Sequence, residues 1–369
     1  MPTSLSNKKS IRVSAPGRAN LIGEHIDYAG GVVLPFAISN RTFVTISVSG
    51  NNIVTVQSSQ TGTPVSPSMD EIELWPEKNW ARYPLGVIHV LNKKGFSIPG
   101  LSIEINGNVP HGAGLSSSAS LECAVAFGIN ELLSLGLTHL ELAKISQQAE
   151  NEYVGMPCGL MDQATSMLAR ESFILKFDCR SFEYDYLPFD LAAHSLEILL
   201  IDSRVKHALV DGGYESRFAA CESARKTFHL DSLRELTRET FENSTLEPLI
   251  HKRISHVVSE MERVESATHA LKISDFSRVG ELMNQSHVSL RDLYEVSCPE
   301  LNLICETANS HGALGARMMG GGFGGSAIVL TPTTTREKIL NEIENEFAKN
   351  NFKKVSLIAA SPSEGARIE

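Results

Sequence analysis

A glycine- and serine-rich segment at residues 109–122, VPHGAGLSSSASLE, constrains this chain more than any other part of the sequence. An extended apolar run at residues 101–105 precedes it, and apolar residues at helical spacing follow it. Gly112 and Gly114 carry no side chain, so backbone amides there can approach a ligand closely. Three hydroxyls at residues 116–118 open the helix, whose free amides and dipole favour an anion. The ligand we infer is a nucleoside triphosphate. An ordinary serine-capped helix is the alternative for this segment taken alone.

Length and charge limit the classes of function. A chain of 369 residues suits two domains that share a cleft. The hydrophobic fraction of 42% is ordinary for a soluble globular protein with a full core. A net charge of -10 argues against general nucleic-acid binding and against docking on an anionic membrane, although a local basic pocket for phosphates is compatible with it. We therefore expect small-molecule substrates, and no nucleic-acid or membrane partner.

The cysteines and the N-terminus predict a cytoplasmic protein. The six cysteines lie far apart without a CxxC pair, so we expect buried free thiols and no zinc site. The first ten residues contain two lysines but lack the apolar region of a signal peptide. No run approaches the roughly 20 apolar residues of a membrane span.

A second segment, residues 17–31, carries four different polar side chains between glycines. Carboxylates accept hydrogen bonds from sugar hydroxyls, histidine can donate or accept, and arginine can hold a phosphate or pair with a carboxylate. Each residue taken singly also fits a solvated loop. Their density between apolar strands indicates a site for a polyhydroxylated ligand. The four residues are Arg18, Glu24, His25 and Asp27.

A third segment, residues 158–163, breaks a helical pattern at Gly159 and restarts it. Asp162 follows the break among apolar neighbours, where a partly desolvated carboxylate can serve as a general base. A lone aspartate at this position also fits the N-cap of the new helix, and this alternative stays open.

Local patterns predict strands and helices in both halves of the chain. Residues 42–48 and 52–57 alternate as strands, and the glycine and two asparagines at residues 50–52 predict a hairpin turn between them. Thr138 and Glu141 form a capping-box pattern at a helix start. Mixed elements of this kind indicate two α/β domains.

The pattern of residues 254–271 predicts an amphipathic helix with one apolar stripe. The histidines beside that stripe are expected to be solvated rather than to bind metal. They are His251, His256 and His269.

Motifs of other nucleotide-binding classes are missing or lack their context. GxxxxGK[ST] does not occur, nor do the HRD and DFG motifs of protein kinases. The glycines of residues 320–325 satisfy GxGxxG, but residues 326–330 after them are strand-like, whereas a dinucleotide fold needs a helix there. We interpret these glycines as a tight turn between strands.

Three segments together carry a family resemblance. Residues 17–31, 110–122 and 149–163 occur in the order found in galactokinases. The chain thus resembles the galactokinase family of the GHMP small-molecule kinase superfamily. The first segment is specific to galactokinase-like members, whereas the Gly/Ser loop marks only the superfamily. Further matching segments extend the resemblance over almost the whole chain: residues 202–209 with Tyr214, 286–291, 294–301, 317–326 and 365–367.

The resemblance implies a mixed α/β (α+β), two-domain GHMP kinase fold. A ribosomal-S5-like N-terminal domain would span residues 1–187 and bind sugar and ATP. A ferredoxin-like C-terminal domain would span residues 188–369, with the active site between the two domains. We expect the protein to be a monomer.

The resemblance also implies a role for individual residues. Asp162 would be the base that faces the anomeric hydroxyl of the sugar, and Arg18 beside it would stabilise the transferring phosphoryl group. The hexose would be bound by Glu24, His25, Ile26, Asp27, Gly159 and Tyr214. The triphosphate of ATP would be wrapped by Gly112, Ala113, Gly114, Leu115, Ser116, Ser117 and Ser118. Mg²⁺, which prefers oxygen ligands and keeps several waters, would be held by Ser118 and Glu150.

The implied reaction transfers the γ-phosphoryl group of ATP to the C1 hydroxyl of α-D-galactose, the start of the Leloir route. One alternative is another hexose phosphorylated at C1, such as N-acetylgalactosamine. A second is a sensor that binds galactose and ATP without catalysis, but the Ser-Ala segment at residues 116–120 and Asp162 are both intact. Two positions depart from the family pattern, Ala29 in place of the usual Asn and Met319 in place of the usual Thr. Neither replaces a group assigned to chemistry.

Overall fold

The computed structural model describes residues 10–60, 62–77, 79–205 and 213–369. The first nine residues, which bear on the signal-peptide prediction, lie outside these ranges. Residues 206–209 of one family-like segment also lie outside them.

The described elements are strands and helices, and both types occur in each half of the chain. The strands are β1 (Ser10–Asn20), β2 (Val32–Val33), β3 (Pro35–Val48), β4 (Thr55–Ser58), β5 (Leu101–Gly107), β6 (Phe173–Asp178), β7 (Tyr184–Pro188), β8 (Leu196–Asp202), β9 (Gly315–Met318), β10 (Ser326–Pro332), β11 (Ser356–Ile358) and β12 (Arg367–Ile368). The helices are α1 (Arg82–Lys93), α2 (Ser117–Leu133), α3 (His139–Gln148), α4 (Met161–Leu168), α5 (Gly213–Thr227), α6 (Arg238–Glu242), α7 (Pro248–Lys272), α8 (Phe276–Asp292), α9 (Pro299–Ser310) and α10 (Arg336–Lys349). A π-helical segment, Ala149–Val154, continues α3.

A five-stranded sheet in the order β12-β1-β3-β5-β4 supports the first half of the chain. The alternating residues Val13 and Val44 pair across β1 and β3 and are fully buried. Helix α2 packs on this face at close range, since a Cβ on Gly128 would lie 2.7 Å from the Cδ1 atom of Ile46. The amide of Arg18 donates to the carbonyl of Leu115 at 3.2 Å, so the start of α2 lies beside the end of β1.

The predicted hairpin between residues 42–48 and 52–57 is wrong. Strand β3 pairs with β1 on one side and with β5 on the other, so neither of its edges is free. Strand β4 instead pairs with β5, parallel to it, with Val56 opposite Ile103. A turn-forming sequence predicts that the chain reverses, but it does not show which strand edge is available after the reversal.

The second half contains an antiparallel sheet in the order β11-β8-β10-β9. Along the chain the four strands follow one another as β8, β9, β10 and β11. Helices lie between β8 and β9 and between β10 and β11. This arrangement is the predicted ferredoxin-like one. The glycines of residues 320–325 connect β9 to β10, as the interpretation of a tight turn between strands requires.

The two halves are interlocked at the chain terminus. Strand β12 returns to the first sheet and pairs with β1, with Ser14 opposite Arg367. The buried guanidinium of Arg41 donates hydrogen bonds to the carbonyls of Glu364 and Gly365 at 2.8 and 2.6 Å. The last residues therefore add an edge strand to the sheet that holds the start of the chain.

Helix α3 begins with the predicted capping box. The Thr138 hydroxyl accepts a hydrogen bond from the Glu141 amide at 3.3 Å, and the Glu141 carboxylate accepts one from the Thr138 amide at 2.8 Å. In the described ranges, no helix is both long enough and apolar enough to cross a membrane.

Helix α7 corrects the prediction for one histidine. His269 is exposed and His251 is half-buried, but His256 has no exposed surface. The loop at residues 20–28 covers a second face of α7, through the carbonyl of Glu24 and the amide of Gly23. A single apolar stripe cannot reveal such a second buried face, because the residues on it are polar.

Gly280→Ala tests how closely α8 lies against β9. Alanine normally favours a helix over glycine by about 1 kcal/mol. Here its Cβ would lie 2.3 Å from the carbonyl oxygen of Leu314, so we expect the variant to lose about 2 kcal/mol of unfolding free energy. Chemical denaturation measures the loss, with Gln285→Ala on the exposed face of the same helix as control. A stabilised Gly280→Ala protein would contradict the packing.

Candidate active site

One cavity of about 300 Å³ brings residues of the three family-like segments together. Its lining includes Arg18, Glu24, His25, Asp27, Gly114, Ser116, Ser118, Glu150, Gly159, Asp162 and Tyr214. The other predicted residues do not line this cavity. Gly112 is on the same loop, Ser117 lines a neighbouring cleft, and the side chains of Ile26, Ala113 and Leu115 are buried.

An arginine–carboxylate pair lies at the centre of the cavity. Arg18 at the end of β1 donates to Asp162 through Nε at 2.7 Å and through Nη2 at 2.9 Å. Its Nη1 donates to the carbonyl of Gly114 at 2.6 Å. The Asp162 side chain is 28% exposed, whereas that of Arg18 is 6% exposed, so the carboxylate faces the cavity. Leu160 is the N-cap of α4, so the N-cap alternative for Asp162 is wrong.

The glycine- and serine-rich loop of residues 112–118, here called the amide loop, lines the same cavity through Gly114, Ser116 and Ser118. Gly112, Gly114 and Ser116 have φ angles of 75°, 73° and 58°, in the left-handed region that glycine favours. The Ser116 hydroxyl donates to the Asp162 carboxylate and does not cap α2. The first amides of α2 are therefore without a side-chain cap, as an anion site at a helix N-terminus requires.

The glycine-rich turn between β9 and β10 supports this loop from the other half of the chain. A Cβ on Gly114 would lie 3.1 Å from the carbonyl oxygen of Met319, and one on Gly325 would lie 3.2 Å from the carbonyl carbon of Ala113. The Ser326 hydroxyl donates to the Ala113 carbonyl at 2.7 Å. The two glycine segments thus pack backbone against backbone.

An acidic cluster lies on the α2 side of the cavity. Burial, with the negative charge of Asp162, raises the pKa of Glu150 to about 7, while the hydroxyl of Ser118 opposes this rise. Within the part of the chain that the structure describes, neither side-chain oxygen of the fully buried Glu122 has a hydrogen-bond partner. Burial, and then the neighbouring Glu150, raise the pKa of Glu122 well above its ordinary value. The cluster is therefore short of positive charge.

The oxygens of Ser118 and Glu150 fit a magnesium ion. Mg²⁺ prefers oxygen ligands and is usually bound by one or two carboxylates together with substrate phosphates. Glu150 is 8% exposed and lines the cavity with Ser118 at the start of α2. A cation there would supply the positive charge that the cluster lacks.

The opposite side of the cavity is built around Asp27. Burial, with the charge of Asp162, raises the pKa of Asp27 to about 7. Gly159 lies directly against this carboxylate, since a Cβ at that position would be 2.0 Å from its Oδ2 atom. A side chain at position 159 would therefore displace the Asp27 carboxylate from its place in the cavity.

His25 adds a neutral ring to this side. Its Nδ1 atom is 2.8 Å from the Tyr28 hydroxyl, and its ring centre is 5.6 Å from that of Tyr214. Among the described residues, its buried Nε2 atom has no hydrogen-bond partner. Burial, with His256 and the guanidinium of Arg217 nearby, lowers the pKa of His25 to about 3. The ring therefore stays neutral at physiological pH and can donate or accept one further hydrogen bond.

Glu24 lies at the back of the cavity and is 2% exposed. Its Oε2 atom accepts hydrogen bonds from Arg317 at 3.0 Å and from the side-chain amide of Asn20. Its Oε1 atom accepts one from the backbone amide of Gly320. Protein donors thus occupy part of the hydrogen-bonding capacity of both oxygens. This partial use of the carboxylate is not visible in the sequence.

The two departures from the family pattern, Met319 and Ala29, lie beside the loop at residues 20–28. The Met319 sulfur accepts a hydrogen bond from the backbone amide of Asn20 at 3.3 Å. The Ala29 carbonyl accepts one from the Ser232 hydroxyl at 2.9 Å. Contacts from the second half of the chain therefore support the loop at both positions.

Sequence reasoning missed several residues that hold the site. They are buried polar groups of the second half whose partners are distant in sequence, so no local motif marks them. Three of them, Ser286, Ser289 and Arg317, lie in the family-like segments 286–291 and 317–326, which was the available signal, whereas the other two lie outside those segments. The missed residues are His256, Glu260, Ser286, Ser289 and Arg317.

Family models match most of the chain. The galactokinase galactose-binding signature matches residues 4–48, the GHMP kinases N terminal domain matches residues 82–170, and the GHMP kinases C terminal domain matches residues 267–350.

Relatives match along almost the whole length. A galactokinase of Streptomyces coelicolor is 40% identical, over 96% of this chain and 93% of that protein. A galactokinase of Thermotoga neapolitana is 42% identical, over 93% of this chain and 95% of that protein. The solved structure of Lactococcus lactis galactokinase complexed with galactose has a TM-score of 0.93 and 32% identity, covering 98% of this chain and 95% of that one. Methanococcus jannaschii mevalonate kinase, at 18% identity and a TM-score of 0.68, shares the fold over 98% of this chain and 99% of that one.

The fold, with its amide loop facing an arginine–aspartate pair, defines a small-molecule kinase of the GHMP superfamily. Identity of 40% or more with relatives of nearly equal length narrows the class further. The chain belongs to the galactokinase family and is a sugar kinase.

The buried His256 generates a pH prediction. Burial lowers its pKa from the ordinary value of 6.5 to about 4, so the folded state binds fewer protons than the unfolded state between these values. The contribution of His256 to the free energy of unfolding is fully present above pH 6.5 and decreases as the pH is lowered. Relative to His256→Gln, the wild type should lose about 2 kcal/mol of unfolding free energy between pH 7.5 and pH 5. Denaturation at several pH values measures the difference, and a constant difference would contradict a buried neutral His256.

Proposed function

We propose that this protein transfers the γ-phosphoryl group of ATP to the C1 hydroxyl of α-D-galactose, giving galactose 1-phosphate and ADP. The observation that carries this proposal is the contact of Asp162 with both Arg18 and Ser116 at the mouth of the amide loop. The Asp162 carboxylate, the Arg18 guanidinium and the loop that would bind the phosphates line one cavity, which supports the proposal. Phosphoryl transfer requires positioning and charge neutralisation more than covalent chemistry, and this arrangement supplies both.

In the proposed step, Asp162 accepts the proton of the C1 hydroxyl as that oxygen bonds to the γ-phosphorus. The bond from the γ-phosphorus to the bridging oxygen breaks, and ADP leaves. Arg18 holds the carboxylate through two parallel hydrogen bonds, which fixes the direction of its free lone pairs. The same guanidinium lies where the transferring phosphoryl group would pass, so it would stabilise the developing charge.

We assign the phosphates of ATP to residues 112–118. Only the backbones of Ala113 and Leu115 can take part, because their side chains are buried. A narrow cleft lined by Trp80, Ile105, Val109, Ser117 and Leu121 adjoins this loop. Its aromatic and apolar lining suits a nucleoside base, so we place the adenosine there.

Ser118 and Glu150 would hold Mg²⁺, which when bound neutralises phosphate charge. Glu150 must be ionised to bind a cation. Its raised pKa therefore predicts that metal affinity increases as the pH rises through about 7.

The hexose would lie against Glu24, His25, Asp27, Gly159 and Tyr214. Ile26 would contribute through its backbone only, because its side chain is fully buried. The carboxylates accept hydrogen bonds from hydroxyls, and the Tyr214 and His25 rings offer an apolar wall with polar edges.

We keep the division into residues 1–187 and 188–369 as a proposal, with β12 as a late return to the first sheet. A monomeric, cytoplasmic enzyme is likewise proposed.

A panel of free sugars in a coupled ADP assay tests the substrate. Turnover with N-acetylgalactosamine but not galactose would favour the other hexose, and galactose binding without ADP formation would favour the sensor.

Asp162→Asn tests the base. Asparagine keeps the shape but cannot accept the proton, so we expect kcat to fall by about 10²–10⁴-fold while galactose still binds. The coupled ADP assay measures kcat, and calorimetry measures galactose binding. Asp178→Asn, on β6 and paired with Arg234, is the matched control. Near-normal turnover in Asp162→Asn would show that this carboxylate is not the base.

Glu150→Gln tests the metal site. Removing one carboxylate ligand should raise the Mg²⁺ concentration for half-maximal rate by about tenfold or more. EDTA should abolish the activity of the wild type. Glu152→Gln, whose half-exposed side chain pairs with Lys93, should leave the Mg²⁺ dependence unchanged. Equal Mg²⁺ dependence in both variants would remove Glu150 from the metal site.

A further inference from the structure

The loop at residues 20–28, here called the sugar loop, is held by buried charges that no step of the proposed reaction uses. Glu260 on α7 and Arg317 on β9 have no exposed surface, and both belong to the second half of the chain. Burying two charges is costly unless each is fully paired. The groups that Glu260 and Arg317 contact therefore indicate the role of the two charges.

Arg317 directs most of its donors to the sugar loop. Its Nε atom donates to the carbonyl of Leu21 at 2.8 Å. Its Nη2 atom donates to the carbonyl of Asn20 at 2.6 Å and to Oε2 of Glu24 at 3.0 Å. The remaining bond, from Nη1, goes to the carbonyl of Met318 in its own strand at 2.9 Å. One side chain thus fixes both the backbone and the Glu24 carboxylate of the loop.

Glu260 holds the same loop from α7. Its Oε1 atom accepts from the amide of Gly23 at 3.0 Å and from the hydroxyl of Ser286 at 2.7 Å. Its Oε2 atom accepts from Nε of Arg263 at 2.6 Å. Burial alone would raise the pKa of Glu260, but the charge of Arg263, with His256 and Arg317 nearby, lowers it to about 2. The carboxylate is therefore ionised and fully engaged.

His256 completes the contact. Its Nε2 atom is 3.1 Å from the carbonyl of Glu24, and its Nδ1 atom is 2.8 Å from the hydroxyl of Ser289. Because a carbonyl can only accept, Nε2 carries the proton and Nδ1 accepts from Ser289. Ser286 and Ser289 lie in the family-like segment 286–291, to which the reaction assigns no role. Their hydroxyls orient the two side chains that bind the loop.

We propose that Glu260 and Arg317 are positioning residues for the sugar loop, and that they set the place of Glu24, His25 and Asp27 in the sugar pocket. If the loop moved away, an ionised carboxylate and a guanidinium would each lose partners inside the protein. That penalty restricts the loop to one conformation before the sugar arrives. The naming of the sugar as galactose rests on the proposed function, whereas the restriction of the loop does not.

Two conservative substitutions test the proposal. Glu260→Gln keeps the size of the side chain and one carbonyl oxygen but removes the charge. Arg317→Lys keeps the charge but removes the planar fork of donors. The matched control is Arg41→Lys, because Arg41 is likewise buried, at 3% exposed, and binds backbone carbonyls, but at residues 364–365, away from the sugar loop.

The first readout is the pair of Michaelis constants. We expect the KM for galactose to rise about tenfold in both variants, which corresponds to one lost hydrogen bond to a charged group. The KM for ATP should stay within about twofold of the wild-type value, and Arg41→Lys should change neither constant. Equal rises in both constants would indicate general disruption and would overturn the proposal.

The second readout needs no sugar. Amide hydrogen exchange at residues 20–28 should become about tenfold faster or more in Glu260→Gln, while exchange in β3 stays at the wild-type rate. If Arg317→Lys or Glu260→Gln does not fold, Ser286→Ala removes one hydrogen bond to Glu260 without changing a charge. For that variant we expect a smaller rise, of about threefold, in the exchange rate at residues 20–28. Unchanged loop exchange in the folded variants would overturn the proposal. A wild type that neither binds nor phosphorylates galactose would instead refute the proposed function, and hydrogen exchange would still decide the positioning role.

Discussion

The guanidinium of Arg18 joins three parts of the active site, because it is buried and binds each of them. It pairs with Asp162 at the start of α4 and with the carbonyl of Gly114 in the amide loop, while its own backbone belongs to β1. Without this cation, the Asp162 carboxylate would have no ion-pair partner among the described residues. Burial, together with the charge of Asp162, raises the pKa of the neighbouring Glu150 to about 7. A phosphate-bound divalent cation is the kind of group that would complete this acidic cluster.

The second half of the chain shapes this site mainly through backbone contacts and buried charges. Its glycine-rich turn packs so closely against the amide loop that a Cβ on Gly114 or Gly325 would meet backbone atoms at 3.1 or 3.2 Å, tighter than most real Cβ contacts. Its two charges, Glu260 and Arg317, bind the sugar loop. The loops of the first half therefore depend on contacts with the second half for their conformation in the folded protein. This dependence explains why the cavity lies where the two halves meet.

The predictions that failed share one physical cause. The hairpin between residues 42–48 and 52–57 was wrong because β5 occupies the edge of β3 that a hairpin partner would need. The solvated state expected for His256 was wrong because the sugar loop covers a second face of α7. Both patterns report the local conformation correctly, but neither reports what packs against it. Glu24, whose oxygens already accept hydrogen bonds from Arg317 and Gly320, illustrates the same difference for a site residue.

The sequence alone determined the local conformations, the capping box at Thr138, the glycine turn before β10 and the family to which the chain belongs. These features depend on residues close together in the chain, so short-range sterics and hydrogen bonding encode them. Only the tertiary structure decided that Arg18 meets Asp162, that β4 pairs with β5 and that Arg317 holds the sugar loop. These contacts join residues up to about 300 positions apart. Their partners are selected by burial, since a charge removed from water must find its counterpart wherever the fold places it.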